Sequence, residues 1–383
     1  MPPSRAGKTD KGVAGKLVYF FYEGLILRII GAAVVSFLLV LLLGPRMVRF
    51  LLRKRLGDRP EFDHAHLNAL TRHKSNTPTM GGVLIVIAIF VSGLLFANTH
   101  NMYIRIALVL VLLFGGLGAV DDWIKLRHAA GKGSRDGLKM WEKTVFQVGF
   151  AFLAAIFTYH YGSESFVGSQ NAAHTLYFPF KTEPIHLPQA WYVGITILTL
   201  VGACNAVNLT DGMDGLASGC MVTCTGVFLL LAWIAGVQEW SSFFNLPLVV
   251  GSQEMTILCG AMFGACLGFL WYNAHPAQVF MGDAGSLPLG AMIGYVAVVT
   301  RQEMLLLLAG GVFVLEAGSV IFQVGYFKLT KPKGGGEGKR LFRCAPLHHH
   351  FHLGGWAESK VVARFWVLGI IFAALALATL KLR

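Results

Sequence analysis

Charge is scarce in this chain. Only 14% of its 383 residues are charged, and just 20 are acidic, against about a quarter charged residues in a typical soluble domain. A fully water-exposed surface is therefore excluded. Cysteine is thin as well. Cys204, Cys220, Cys224, Cys259, Cys266 and Cys344 form no CxxC pair, and most fall in apolar runs, so buried thiols are expected rather than disulfides or zinc ligands. No cleavable signal peptide is expected, because Met1–Lys16 is polar and basic and the first apolar block is long, without a small-residue cleavage site. No internal repeat is found. A Walker loop is missing too: Lys333-Gly334-Gly335-Gly336-Glu337-Gly338-Lys339-Arg340 has Lys333 at its first glycine position and Arg340 in place of Ser or Thr, and reads as a flexible basic loop.

What fills the chain is hydrocarbon. Hydrophobic residues make up 55% of it, in blocks of roughly 20 residues, long enough to span a bilayer. The expected fold is an all-α polytopic membrane protein of about ten transmembrane helices. The spans are placed near 25–44, 80–98, 103–121, 145–161, 190–207, 218–237, 254–272, 284–300, 304–327 and 361–380. Residues 1–24 form a basic N-terminal extension, and 25–383 a single transmembrane catalytic domain. Within the connection at 160–190, the alternation of His174–Phe180 and Thr182–Leu187 predicts a small hairpin. Residues 238–253 read as a short amphipathic segment on the membrane surface.

The net charge of +12 could point to nucleic acid, but its distribution argues for membrane orientation instead. The loop after the first span holds Arg46, Arg49, Arg53, Lys54, Arg55, Arg59, Arg72 and Lys74. The loop after the third holds Lys125, Arg127, Lys132, Arg135, Lys139 and Lys143. The loop after the ninth holds Lys328, Lys331, Lys333, Lys339, Arg340, Arg343 and Lys360, whereas the opposite side offers only Lys181 and Arg301. By the positive-inside rule the loops after odd-numbered spans are cytoplasmic and both termini periplasmic. Arg5, Lys8, Lys11 and Lys16 in the N-terminal tail disagree and are outnumbered.

The acidic and amide motifs gather on that same cytoplasmic side, so the expected active site lies there. Asp121 and Asp122 end the third span, with Lys125 one turn later. Neighbouring helix positions point about 100° apart, so the two carboxylates cannot serve one atom equally. One is expected to face a reacting phosphate and the other to position a cation or a lysine. The plain alternative, a solvated helix end, is weakened because an acid at a helix C-terminus meets the wrong end of the dipole. Asp211 and Asp214 share a face if helical, with Gly212 and Gly215 admitting a ligand close to the backbone. Asp283 lies in Phe280-Met281-Gly282-Asp283-Ala284-Gly285, at the start of a span. Acids beside spans usually mark functional sites, and a hard cation such as Mg2+ prefers one or two carboxylates plus phosphate oxygens. Phe280 offers a surface for stacking a base and Asn273 a paired donor and acceptor.

In the lead-in to the second span, Lys74 is a point charge and Thr79 a hydroxyl at a helix N-terminus, where anions are favoured; an interfacial anchor with a Thr cap is an equal reading. The internal Ala345-Pro346-Leu347-His348-His349-His350 lacks a nearby carboxylate or cysteine to complete a zinc set, so its imidazoles are expected to contact phosphate or sugar. Glu316 and Gln323, inside the ninth span, are expected to face protein or a cavity, and could simply hold a broken helix together.

Taken together, Thr77-Pro78-Thr79-Met80-Gly81-Gly82, Asp121-Asp122, Asn208-Leu209-Thr210-Asp211-Gly212, Phe280-Met281-Gly282-Asp283 and the histidine run resemble the phospho-N-acetylmuramoyl-pentapeptide transferase family, from about Leu27 to the C-terminus. The resemblance implies ten spans, a homodimer in the bacterial inner membrane, and Mg2+-dependent transfer of phospho-MurNAc-pentapeptide from UDP-MurNAc-pentapeptide to undecaprenyl phosphate, giving lipid I and UMP. It implies Asp283 as the metal ligand and Asp121, Asp122, Asp283 and His349 as the catalytic set. Lys74, Thr79, Lys125, Lys143, Asn208, Asp211, Gly212, Met213, Asp214, Asn273, Phe280, Gln323, Ala345 and His348 would bind substrate. Two departures stand out: Asn76 replaces the family's usual Gly, and Met213 its usual Leu.

Two other readings compete. A related polyprenyl-phosphate GlcNAc-1-phosphate transferase would share the acids, but Phe351 and Gly354-Gly355-Trp356 after the histidines resemble the muramoyl branch. An ion-coupled transporter would place its acids near the midplane on broken helices; here all but Glu316 lie at helix ends.

Overall fold

The computed structural model describes residues 24–53, 77–131, 137–164, 174–181, 183–332 and 336–381. The N-terminal extension, apart from Gly24, lies outside these residues. In chain order the elements are α1 (Leu25–Arg53), α2 (Gly82–Phe96), α3 (Met102–Gly131) and α4 (Met140–Glu164). A two-residue antiparallel ladder, β1 (Thr175–Leu176) with β2 (Ile185–His186), forms the expected hairpin. Then come α5 (Gln189–Thr210), α6 (Leu216–Gly236), α7 (Gln238–Phe243), α8 (Met255–Asn273) and α9 (Asp283–Thr300). The last are α10 (Glu303–Ala309), α11 (Gly311–Leu329), α12 (Leu347–Leu353) and α13 (Glu358–Ala378).

The chain is an all-α polytopic membrane protein. Among the described residues nine helices are long and apolar enough to cross a bilayer, and α2 adds a shorter apolar helix of 15 residues at the second expected span. The ninth expected span is not one helix. It divides at Gly310-Gly311 into α10 and α11, and Gly311 is packed against α13, where a Cβ would stand 2.6 Å from Phe372.

Helix α9 is the axis. All of its residues are buried, the signature of a helix surrounded by protein rather than lipid. It packs chiefly against α3 and α5, and also against α2 and α6. Lipid chains are as apolar as the helices, so no hydrophobic drive separates helix from lipid here; close backbone approach through small residues takes its place. Gly82 meets Gly285, a Cβ at Gly118 would stand 2.1 Å from the Asp283 carbonyl oxygen, and one at Gly290 would stand 2.5 Å from that of Ala203. A second seam joins α8 to α1, where Gly260, Gly264 and Gly268 face the backbone of Ile29, Ala33 and Phe37.

Two buried arginines join distant elements. Arg28 donates to both carboxylate oxygens of Glu254, at 2.9 and 2.6 Å, tying α1 to the segment entering α8. Arg301, counted in the sequence as a loop charge, is wholly buried and donates to the Tyr192 hydroxyl at 2.8 Å.

A Gly264→Val substitution places its Cβ 2.0 Å from the Ala33 carbonyl oxygen. Because backbone cannot give way cheaply, we expect a loss of about 1–3 kcal/mol, read as a lower thermal unfolding midpoint in detergent. An unchanged midpoint would show that α1 is not seated on α8.

Candidate active site

Five stretches of chain meet at one end of the bundle: the lead-in to α2, α3 around Asp121 and Asp122, the start of α4, the end of α5 and the start of α9. The third span is expected from the sequence to end at residue 121, but α3 continues to Gly131, so both acids lie within the helix and not at its C-terminus. The ordering begins with backbone. The first amides of a helix have no partner within it, and α9 begins with the buried Asp283 and Ala284. Asp122 supplies the partner, accepting from the amides of Asp283 at 3.2 Å and Ala284 at 3.0 Å. The residue before the helix, Gly282, has φ +69°, and a Cβ there would lie 2.5 Å from Asp122 Oδ2 and 2.9 Å from Thr79 Oγ1. Only glycine fits that left-handed position against two side chains. Pro78, Gly81 and Gly82 pair by backbone with Phe280 and Met281, which fixes the α2 lead-in, with buried Thr79, beside the same turn.

The division of labour between the adjacent acids follows from this. Asp122 is engaged chiefly with the helix N-terminus, and Lys125 Nζ stands 4.0 Å from its Oδ1. Asp121 turns the other way. Its Oδ1 accepts from the Leu138 amide at 2.7 Å, and its Oδ2 lies 2.7 Å from Lys125 Nζ and 3.2 Å from Lys143 Nζ. Asp283 receives Asn208 Nδ2 on Oδ1 at 2.6 Å; its Oδ2 accepts from Lys125 at 3.0 Å and also from Lys143. Asn208 in addition donates to Ser286 Oγ at 2.9 Å. One oxygen from each of Asp121, Asp122 and Asp283 lies within 4.8 Å of the others.

Asp211 adds a fourth acid, accepting from the Gly282 amide at 3.2 Å. Burial first, then the Asp283 and Asp122 carboxylates, push its carboxyl up to about 8. An acid raised that far is largely protonated at neutral pH, and added positive charge would favour its ionisation. Both lysines reach the centre along their aliphatic stems, Lys125 with its side chain about one-third exposed (34%) and Lys143 more deeply set.

The remaining expected residues form an outer tier. Phe280 is half-buried at the edge of this tier. Asn273 is buried, with Oδ1 accepting from the Gly215 amide at 3.0 Å and Ser218 Oγ at 3.2 Å while Nδ2 donates to the Val279 carbonyl at 2.9 Å. Asp214, also buried, accepts from the Ala277 amide at 3.0 Å and stands 3.1 Å from His275 Nδ1. Its own amide donates to Glu358 at 3.0 Å. Gln323 accepts from the amides of Leu341 and Phe342 and holds the chain leading to half-buried Ala345 and α12. Met213 is buried and Gly212 exposed. His348 and His349 are buried with ring centroids 4.1 Å apart. Lys74 lies outside the described residues.

Sequence reasoning gave no role to Ser286, His275 or Glu358. Glu358 carried a readable signal, an acid in the first turn of a span, but its partner lies 144 residues away. The missing carboxylate near the histidines is also present: Glu316 Oε2 is 3.2 Å from His348 Nδ1. It comes from α11, outside the local sequence window.

If Asp122 caps α9, Asp122→Ala should lower the unfolding midpoint together with turnover, by about 0.5–2 kcal/mol for a lost helix cap. Asp122→Asn, which keeps a carbonyl acceptor, should retain more of that stability. A midpoint untouched by Asp122→Ala would remove the capping role.

The comparisons with known proteins agree with this geometry. The model of Glycosyl transferase family 4 matches residues 103–301, and the phospho-N-acetylmuramoyl-pentapeptide-transferase signature 1 matches residues 74–86. The chain is 45% identical to the phospho-N-acetylmuramoyl-pentapeptide-transferase of Desulfotalea psychrophila over 93% of its own length and 94% of the relative's. It is 45% identical to that of Syntrophus aciditrophicus, over 93% of each chain. With that of Methylacidiphilum infernorum it shares 42% identity over 97% of its length and 98% of the relative's. The residues matched include α3, α5 and α9, which carry Asp121, Asp122, Asn208 and Asp283, and on this footing the chain belongs to the phospho-N-acetylmuramoyl-pentapeptide-transferase family.

Proposed function

We propose that the chain transfers phospho-MurNAc-pentapeptide from UDP-MurNAc-pentapeptide to undecaprenyl phosphate, releasing UMP and forming lipid I, the first membrane step of peptidoglycan synthesis. One observation carries the reading: Asp121 and Asp122 from within α3 and Asp283 from the start of α9 converge, flanked by two lysines, at one end of a bundle of spans. Attack of one phosphate on another needs charge neutralisation and in-line positioning far more than covalent help from the protein.

The donor set fits Mg2+. It is all oxygen, with no thiol or imidazole to favour zinc or a softer metal. Asp122 is committed to backbone amides, which leaves Asp283 as the main ligand, with Asp121 beside it. When bound, Mg2+ supplies charge neutralisation on the diphosphate and stabilises the departing UMP. The protein's own groups do the rest. Lys125 and Lys143 stand ready to exchange carboxylate for substrate phosphate. Asn208 fixes the rotamer of Asp283, and Asp121 is held to orient the acceptor phosphate or take its proton. Phe280 offers its face to uracil. His349 lines the sugar-phosphate side.

The same reading places the loops after odd-numbered spans in the cytoplasm of a bacterial inner-membrane homodimer, since the nucleotide substrate is cytoplasmic. Glu337 lies in the basic loop before α12 and His100 in the turn between α2 and α3. With Cys344 replaced by serine, a cysteine at position 100 should react with a membrane-impermeant reagent in intact cells, and one at 337 should not. The reverse pattern would invert the topology.

The direct test is UMP release from UDP-MurNAc-pentapeptide set against UDP-GlcNAc, each with undecaprenyl phosphate and Mg2+. Turnover of the first alone is expected; turnover of the second alone would reassign the chain within its superfamily. Asp283→Asn should lose both turnover and Mn2+ binding by the detergent-solubilised protein while keeping its unfolding midpoint. Mn2+ binding unchanged in that variant would remove Asp283 as the ligand.

A further inference from the structure

Glu316 has no part in the chemistry above, yet it sits in α11 with no exposed surface, and neither carboxylate oxygen has a hydrogen-bond partner among the described residues. Facing it is the imidazole of His348, whose Nδ1 stands 3.2 Å from Glu316 Oε2, whose two ring nitrogens likewise have no hydrogen-bond partner among the described residues, and which is itself wholly buried. An acid inside a span is costly and persists only where something faces it. A carboxylate beside one ring nitrogen decides which nitrogen carries the proton.

The other ring nitrogen faces the nucleotide-side turn. A Cβ at Gly212 would stand 2.3 Å from His348 Nε2 and 2.9 Å from Cε1, so the imidazole presses against the backbone of that turn. Gly212 directly follows Asp211, whose carboxylate holds the Gly282 amide at 3.2 Å, one residue before Asp283. Three residues before Asp211, Asn208 holds Asp283 Oδ1 at 2.6 Å. A single line of contacts therefore runs from α11 through α12 and the α5–α6 turn to the metal-side carboxylate.

We propose that Glu316 is a positioning residue for the transfer reaction: it fixes the Nδ1-protonated form of His348, and so sets how the Asn208–Gly212 turn is held against Asp283. The ring then supports the turn from beneath rather than meeting substrate, consistent with its lack of exposed surface. Gly212 is required because any side chain would displace the imidazole. This rests on the proposed transferase reaction, which the wild-type substrate assay tests by itself.

The experiment is a cycle of Glu316→Gln, His348→Gln and the double variant, with substrate-free 15N spectra of histidine-labelled protein. Loss of orienting contacts around a catalytic group typically costs about 10–100-fold in activity, and Glu316→Gln should fall in that range. Because Glu316 acts through His348, the double variant should be no slower than His348→Gln, so the two losses must not add. In wild-type protein the His348 resonances, identified by their disappearance in His348→Gln, should show a protonated Nδ1 and a bare Nε2, and this pattern should change in Glu316→Gln.

Additive losses, full activity in Glu316→Gln, or a wild-type ring carrying its proton on Nε2 alone would overturn the proposal. If Glu316→Gln does not fold, the wild-type spectrum still decides the tautomer, and Glu316→Asp, which keeps the charge but withdraws it, should shift it. A wild-type chain that is inactive on UDP-MurNAc-pentapeptide, yet shows the expected tautomer, would fail the transferase reading and leave the pairing standing.

Discussion

The N-terminus of α9 is the constraint on which the rest of this molecule depends. A helix with no lipid face and a buried start must find acceptors for its first amides inside the protein. Asp122 provides them, and almost everything nearby is arranged around that contact. Gly282 is left-handed because two side chains occupy the space a Cβ would need. Gly118 lacks a side chain because α3 must come close enough for Asp122, one turn further on, to reach the helix start. Asp283, the first residue of the capped helix, then has one possible direction, into the space where Asp121, Lys125, Lys143 and Asn208 converge. The catalytic arrangement is in this sense a by-product of terminating a buried helix.

Electrostatics at that end is set by burial as well as by pairing. The lysines meet Asp121 and Asp283, but Asp211 and Asp122 remain as additional acids, and Asp211 is pushed up to about 8 by burial and by its acidic neighbours. Unfavourable proximity of this kind is a reservoir released when cationic charge arrives. The outer tier works differently. Asn273, Asp214 and Gln323 spend their hydrogen bonds on backbone groups of the loops around them. They hold the shape of the rim, and a substrate approaching it meets a surface they have already organised.

How far this was legible in the sequence differs between levels. The apolar blocks and the contrast of basic loops state a polytopic helical fold directly, because bilayer thickness imposes a length that composition reveals. The acids on the side of the basic loops were equally visible, although α3 continues past Asp121 and Asp122 to Gly131, because the polar stretch after them keeps a helical path that apolar length does not reveal. What the chain could not display is which contacts close over long separations. Asp122 reaches Asp283 across 161 residues. Glu316 meets His348 only because a broken span and a short histidine helix fold back together. The break at Gly310-Gly311 was hidden because an apolar run reads the same whether or not the helix within it is continuous. Arg301 looked like a loop charge since burial beneath Tyr192 leaves no local trace.

The lengths of the inner helices carry one more consequence. At 1.5 Å per residue, the 18 residues of α9 extend about 27 Å and the 15 of α2 about 22 Å, against a hydrocarbon core of roughly 30 Å. A bundle built on short inner helices sets its reactive end at the depth where acyl chains give way to headgroups. There a membrane-anchored phosphate already resides, and bringing it to the carboxylates requires sideways diffusion in the leaflet, with no vertical extraction of its chain from the bilayer.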